Sequence, residues 1–481
     1  MTRTLLLAAF ILTMGAPVAA QNITTTFFPL KESPSEGQPQ LGKQVMPPMA
    51  TDQYLVAWER TGPTTKKRLY SAVVLDRSTK KEVYRGTIPL DPEESKVEDV
   101  ITMGEDVCII YRVHDNKEYH VTLYALRLSL PNLQPVGESI KLGFYDFPNN
   151  GNPFIADYWF TIMPSADGSK WGILLSKRFK DKKEQEFACW MKDAALTPLW
   201  EHVYRIPTEA ERMEPRSMQV TDAGEVLLVY SPSKNAGNVQ TGSWLESDLR
   251  WPSSIGKVNA SGATQKPIDI GSGNILAMPG MVATKDGFLI GGVVYDRDSK
   301  GKVSKVATMT MGADLELRTG PDMVTVTGLE PEKVSSVELS NNGTVTWMFV
   351  KSEAQLFCIV GEGASVKKVG GKLPFADVSG TLTLTNAISE PVAVFFDLPK
   401  NIQSMRAGEE VRAGGYYLME PAIIQWSADG KANVKQASKD QDGTRDVLKQ
   451  TPTIGYLWKQ KGIQLDQLTG KDPGLLLVEL K

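Results

Sequence analysis

Three features of the sequence predict an all-β chain, and more narrowly a β-propeller of four-stranded blades. One turn-and-strand pattern returns along the chain at nearly regular spacing, the apolar segments are short and β-rich, and no amphipathic helix of ordinary length interrupts them. Seven blades fit the count of segments best, with six or eight as the alternatives.

The pattern is clearest in SADGSKWGILL, residues 165–175. Ser165 and Ala166 end one extended run, Asp167-Gly168 offers the positive φ angles of a two-residue hairpin turn, and residues 171–175 open an apolar strand. A lone Asp-Gly says little, because such dipeptides occur in many loops. Recurrence is the argument: TMGEDVCIIY at 102, TDAGEVLLVY at 221, TKDGFLIGGVVY at 284 and SNNGTVTWMFV at 340 repeat the polar residue, the turn glycine and the β-rich run. From Gly104 through Gly168, Gly224 and Gly287 to Gly343 the steps are 64, 56, 63 and 56 residues. Four strands in a repeat of that length is propeller grammar, and a helical solenoid would show a 3.6-residue period instead.

Seven units follow in order. YLVAWER with LYSAVVLDRSTKKEVYRGTI forms the first, DVCIIYRV with VTLYALRLSLPNLQPVGESI the second, and IADYWFTIMPSADGSKWGILLS with FACWMKDAALTPLWEHVYRI the third. The fourth uses SMQVTDAGEVLLVY and SSIGKVNASGATQKPIDI, the fifth MVATKDGFLIGGVVY and VATMTMGADLELRTG, and the sixth VSSVELSNNGTVTWMFV and QLFCIVGEGASVKKV. The seventh is less regular: TLTLTNAISEPVAVFFDL, a longer loop, then PAIIQWSADGKANVKQ. Most of the core is expected in second and third strands, where both faces of a blade are covered. The tail carries another hairpin and a final GLLLVEL strand, which either complete a blade with ITTTFFPL at 23–30 or form an eighth. The expected organisation is therefore a leader at 1–20, an N-terminal segment at 21–48 whose strand can close the ring, blades over 49–440, and closing strands at 441–481.

On this grammar the chain resembles the secreted β-propeller repeat proteins of bacteria, over the whole length that follows the leader. The blades lack the closing Trp-Asp of WD repeats and the recurrent double glycine of kelch repeats. Sialidase-like propellers carry turns of the form Ser-x-Asp-x-Gly-x-Thr-Trp. Ser165, Asp167, Gly168 and Trp171 approach that form, as do Ser340, Gly343 and Trp347, and Ser427, Asp429 and Gly430, but with Asp and Gly adjacent in the first and third. They read as hairpin turns with a packed aromatic, which bears on fold and leaves activity open.

The leader MTRTLLLAAFILTMGAPVAA has Arg3, an apolar run at 5–14, and Val18 and Ala20 before Gln21, the form of a cleavable secretory signal. The run is too short for a membrane anchor, no later segment reads as a span, and no cysteine at the cleavage point invites lipid. A secreted or periplasmic protein is expected. The chain after residue 20 carries a net charge of −4, which argues against nucleic acid as a partner.

Cys108, Cys189 and Cys358 each lie inside an apolar run and read as buried free thiols. His114 and His120, in HDNKEYH, lack companions for a metal site. No cofactor is implied, since the single glycine-rich run, GEGASVKKVGGK at 361–372, falls at a strand turn without a helix to receive phosphate.

Channel-facing positions are the entries of first strands: Asp157, Glu214 with Arg216, Asp377, and Glu98 with Asp99. A glycosidase would need two carboxylates facing each other across a sugar. Loops between second and third strands carry a summed charge of +8, so that face is expected to be basic and to suit an acidic partner. The longest of them, NAGNVQTGSWLESDLRWPSS, holds Trp244 and Trp251 outside any strand, where an aromatic can stack on a sugar or anchor a protein. The leading reading is an exported, non-catalytic propeller scaffold binding a protein or glycan partner through these loops. The alternative is a polysaccharide-acting hydrolase or lyase with its site at the axial channel.

Overall fold

The computed structural model describes residues 23–30, 48–61, 69–88, 90, 95–115, 120–146, 158–177, 184–207, 212–233, 252–271, 273–285, 287–296, 303–353, 355–374, 383–385, 391–397, 399–409, 420–436, 453–460, 463–469 and 474–480. These residues form eight antiparallel sheets, seven of four strands and one with a short fifth. The chain is a β-propeller.

Blade 1 comprises Met49–Ala50, Tyr54–Thr61, Leu69–Asp76 and Glu82–Thr87; blade 2, Ser95–Met103, Asp106–Asp115, His120–Ser129 and Ile140–Asp146, with Gln134–Pro135 paired to the third strand. Blade 3 is Tyr158–Pro164, Lys170–Lys177, Glu184–Asp193 and Pro198–Pro207; blade 4, Arg212–Val220, Val226–Ser233, Ser254–Asn259 and Gly262–Pro267. Blade 5 is Asn274–Thr284, Gly287–Asp296, Lys305–Met311 and Leu317–Thr325; blade 6, Val334–Asn341, Val345–Ser352, Gln355–Glu362 and Lys368–Pro374. Blade 7 is Thr383–Thr385, Val392–Asp397, Glu420–Trp426 and Ala432–Gln436. Each is a meander of four strands, and in blade 2 Ile140–Asp146 and the short Gln134–Pro135 both pair with His120–Ser129.

The seven sequence units coincide with blades 1 to 7. The eighth blade explains the surplus tail: Thr453–Gln460, Ile463–Thr469 and Gly474–Leu480 take the first three places, and Ile23–Pro29 takes the outer one. Phe27 lies opposite Leu476 and Phe28 opposite Leu475. The two fates open to the tail, completing a blade with ITTTFFPL or making an eighth, are one and the same, and the count is eight, one of the stated alternatives to seven.

Burial follows strand position. Second strands are covered almost throughout, as in Gly287–Asp296 and Val345–Ser352, whereas fourth strands such as Leu317–Thr325 are largely exposed. First strands are intermediate, as in Ser95–Met103 and Val334–Asn341, and first strands of successive blades touch one another from blade 3 to blade 6. They therefore face the axis, and they line its channel.

Apolar side chains fill each described seam. Leu465, Leu475 and Phe28 of blade 8 pack with Leu55 and Val73 of blade 1 and Val107 and Ile109 of blade 2. Further clusters join blades 2 and 3, 3 and 4, 4 and 5, 5 and 6, and 6 and 7. An ion pair, Arg77 Nη2 to Glu479 Oε1 at 2.5 Å, adds a polar link between blades 1 and 8. Trp171 is 8% exposed and shares a cluster with Ile101, Cys108 and Leu123 of blade 2, so it packs between blades as its pattern suggests.

The hairpin at Asp167-Gly168 differs from a two-residue turn. Only Gly168, at φ +70°, has left-handed backbone. Ser165 N–H donates to Lys170 O at 2.9 Å and Gly168 N–H to Ser165 O at 3.0 Å, which makes a longer loop with one glycine where right-handed residues will not go. The long loop of blade 7 contains a helix, Pro399–Ala407, which buries Ile402 and Met405 against blades 6 and 7. No helix among the described residues is long and apolar enough to cross a membrane.

Candidate functional site

Among the described residues, five first strands carry a β-bulge, near the middle in blades 2, 4 and 5 and toward the start in blades 6 and 8. The register slips between Val97 and Asp99 in blade 2, Pro215 and Ser217 in blade 4, Ala277 and Gly280 in blade 5, Val334 and Ser336 in blade 6, and Ile454 and Leu457 in blade 8. A bulge forfeits ladder hydrogen bonds and redirects the side chain of the extra residue. The extra residues include Glu98, Arg216, Met278 and Ser335, so the bulges change the chemistry presented along the channel.

Three of them meet. A cavity of about 430 Å3 lies on the channel side of blades 4, 5 and 6, and its lining includes Arg216, Met278, Pro279, Ser335, Ser336 and Glu338. Met278 has a left-handed backbone at φ +51°. Ser335 Oγ is buried and makes no hydrogen bond within the described residues.

Glu214 and Arg216 stand together at this place. Glu214 is 7% exposed, and its Oε2 lies 3.0 Å from Arg216 Nη2, so the guanidinium brings its own counter-charge to the cavity. Blade 2 repeats the arrangement: Glu98 Oε1 is 2.7 Å from Arg112 Nε and 3.8 Å from Lys96 Nζ, with Arg112 5% exposed. Burial pushes the neighbouring Asp99 carboxyl up to about 6, a hydrogen bond from Val100 N–H at 2.8 Å acts against the shift, and the charge of Glu98 adds to it. Asp157, Asp377, Trp244 and Trp251 lie outside the described residues, as does most of the basic loop surface.

The Asp-Gly turns do structural work. Asp167 Oδ1 accepts from Ser165 Oγ at 2.6 Å and from Ser169 N–H at 2.9 Å, and the Ser165 bond foremost holds the carboxyl well below its usual range. Asp167 N–H donates to Asp222 Oδ1 at 3.0 Å in blade 4, and Lys170 Nζ to Asp222 O at 2.6 Å. The turn at Ser427 is bound to blade 6 in the same spirit, with Trp347 Nε1 donating to Ser427 O at 3.0 Å. These turns join blades.

The glycine-rich run has a steric cause. A Cβ on Gly370 would lie 2.5 Å from Asp429 O and 2.7 Å from Gly430 Cα, so blade 6 needs glycine where the blade 7 turn crosses it. Cys108, Cys189 and Cys358 are free and buried, and burial pushes the Cys108 thiol up to about 12, away from nucleophile chemistry. No group of His, Cys, Asp and Glu among the described residues is arranged to hold a metal ion.

No family model matches the sequence, and no curated protein matches it. Among solved structures the chain is similar to the WD40 domain of SCAP from fission yeast, at a TM-score of 0.44 and 10% identity over 92% of this chain and 97% of that one. It is also similar to the β-propeller domain of the Trilobed protease from Pyrococcus furiosus, at 0.36 and 10% over 82% and 96%. A third is the acylaminoacyl peptidase of Pyrococcus horikoshii, at 0.38 and 9% over 89% of this chain and 57% of that one. Identities this low concern architecture alone.

The bulges were beyond the reach of sequence reading, which placed Glu214 and Arg216 near the channel but had no means of finding Met278 and Ser335. Nothing in residue type marks them: a bulge is decided by how two strands pair. Local hints are Pro215 and Pro279, which cannot donate to a ladder.

Proposed function

We propose that the protein is an exported, non-catalytic propeller that binds a protein or glycan partner, approached on the face of the second-to-third-strand loops and received at the channel. The observation that carries this reading is the cavity between blades 4 and 6, whose charged groups include Arg216, matched by Glu214, and Glu338. A balanced set of donors and acceptors recognises polar groups without needing to transfer protons. The basic loops at 60–68, 177–186 and 296–305, and Trp244 and Trp251, extend the contact surface toward an acidic or carbohydrate partner.

The second reading, a polysaccharide hydrolase or lyase, draws on Asp99, whose carboxyl at about 6 is poised to give or take a proton near neutral pH. The two separate in one experiment. The purified chain is applied to a glycan array and to extracellular and envelope fractions, and the same glycans are assayed for new reducing ends. Retention without cleavage supports binding. Chain scission that disappears in Asp99→Asn replaces it with the catalytic reading.

A further inference from the structure

We propose that the outer strand of blade 3, Pro198–Pro207, docks on the same strand of a second copy of this chain, as an antiparallel pair around a two-fold axis at Val203. The surface lies on the rim, away from the channel, so the inference goes beyond the binding reading above.

An outer strand turns a row of N–H and C=O groups outward, and proteins ordinarily blunt such an edge with bulges, brevity or charge. Among the described residues the other outer strands follow this rule. The register slips in those of blades 1, 2, 5 and 6, and those of blades 4, 7 and 8 pair over only five to seven residues. Blade 3 differs. Its outer strand slips only at its start and then keeps regular register from Trp200 to Pro207. No described strand covers its free edge.

The side chains divide cleanly between two faces. Trp200 Nε1 donates to Gly224 O at 3.1 Å, His202 Nε2 lies 3.2 Å from Ala260 O, and Tyr204 bonds Tyr230, so these three turn toward blade 4. Alternation turns Leu199, Glu201, Val203 and Arg205 the other way. Val203 is 63% exposed and Leu199 49%, apolar surface on an edge that is otherwise open to pairing.

Charge names the occupant. A two-fold axis at Val203 sets Val203 against its own copy and brings Glu201 opposite Arg205 of the second chain on both sides. Arg205 Nε donates to Glu186 Oε2 at 3.1 Å, so in the pair it lies between two carboxylates. An axis at Glu201 or at Arg205 would oppose like charges instead. The same two side chains that would repel a shifted register therefore favour this one. Pro198 and Pro207 cannot donate and end the ladder, and a two-fold pairing uses the one free edge of each blade 3, which closes the assembly at two. So short a ladder falls below the roughly 1,200 Å2 of a standard interface, and the dimer is expected at a Kd of roughly 10–100 μM.

The test is sedimentation velocity of the full chain from about 1 μM to about 500 μM, a range that spans that Kd. A monomer–dimer equilibrium without larger species is expected. Val203→Lys sets two ammonium groups on the axis and is expected to abolish the dimer. Glu201→Lys is expected to weaken it about tenfold at low salt and less at high salt. Both positions are exposed, and unchanged thermal melts show that the variants fold. Cross-linking reads the register: with oxidised glutathione as the oxidant, Val203→Cys is expected to join two chains, because opposed Cβ atoms stand about 5 Å apart. Leu199→Cys, roughly 27 Å from its copy in this register, is not. The three native thiols are free and buried, which keeps them out of the exchange. A monomer at every concentration overturns the proposal, as does a dimer that survives Val203→Lys or cross-links as readily at position 199. If the chain stays monomeric while Val203→Lys loses an envelope protein that the wild type retains, the edge takes a foreign strand and the second copy is excluded.

Discussion

Leu133, Leu196 and Leu315 adopt left-handed backbone, at φ +50°, +66° and +63°, each in the turn after the third strand of its blade. The conformation costs a side-chain-bearing residue roughly 1–2 kcal/mol. Each leucine is no more than 2% exposed and belongs to a cluster between blades, and burying such a side chain contributes about 1.5–3 kcal/mol. Burial therefore outweighs strain, which is why leucine stands where glycine would be easier. Asp99 presents the opposite balance. Its carboxyl is raised by burial, so the native state holds a proton that the unfolded chain releases. Its contribution to stability is present below the ordinary value near 3.8 and is lost as pH rises through about 6. Urea unfolding from pH 4 to pH 7 should show Asp99→Asn more stable than the wild type at the upper end and flatter across the window. An unchanged slope would refute the assignment. Asp167 and Asp429, held low by hydrogen bonds, act in the other sense: their contribution is present above about pH 4 and fades below it.

Elements differ in how far their residues announce them. The recurrent turns were legible, because a left-handed position selects glycine and Gly104, Gly168, Gly224 and Gly343 all adopt it. Their detail was not, since Gly168 and not Asp167 takes the left-handed backbone and the turn is held by Ser165 and Lys170. The helix at Pro399–Ala407 carried faint signs, with proline at its start, Ile402 and Met405 on one face, and left-handed Gly408 after its end. It is too short for periodicity to show. The glycine run at 361–372 looked like a turn and is in part an inter-blade contact. Gly370→Ala should therefore destabilise by about 1–3 kcal/mol through backbone displacement against Asp429 and Gly430. Thermal and urea unfolding check this. Gly168→Ala, where a Cβ meets nothing within 4 Å, isolates the purely conformational cost of about 1 kcal/mol.

At the scale of the molecule, the repeat grammar gave seven blades directly, because each carries its own turns and apolar runs. The eighth escaped a firm count because its strands come from both ends of the chain, and pairing across that distance leaves no local pattern. Ile23–Pro29 covers the edge of Gly474–Leu480, whose Leu475, Leu476, Leu477 and Val478 are at most 2% exposed. Deleting residues 23–29 removes the burial of Phe28, worth about 3–5 kcal/mol, and bares an apolar strand edge. Light scattering should then show concentration-dependent association, relieved by adding a peptide of residues 23–29. A deletion variant that stays monomeric with an unchanged melting temperature would contradict this account.

The mixed origin of blade 8 also sets a clock. Ile23 pairs with Leu480, so the first described strand to leave the ribosome waits for the last one before it has a partner. Seven blades can condense as their sequences appear, each from local hairpins, while ring closure waits for Gly474–Leu480 and carries the entropy of a loop of more than 400 residues. Until then two unpaired strand edges coexist on one molecule and on its neighbours, and the exchange of N-terminal strands between chains competes with closure. Dilution should favour the monomer for kinetic reasons alone.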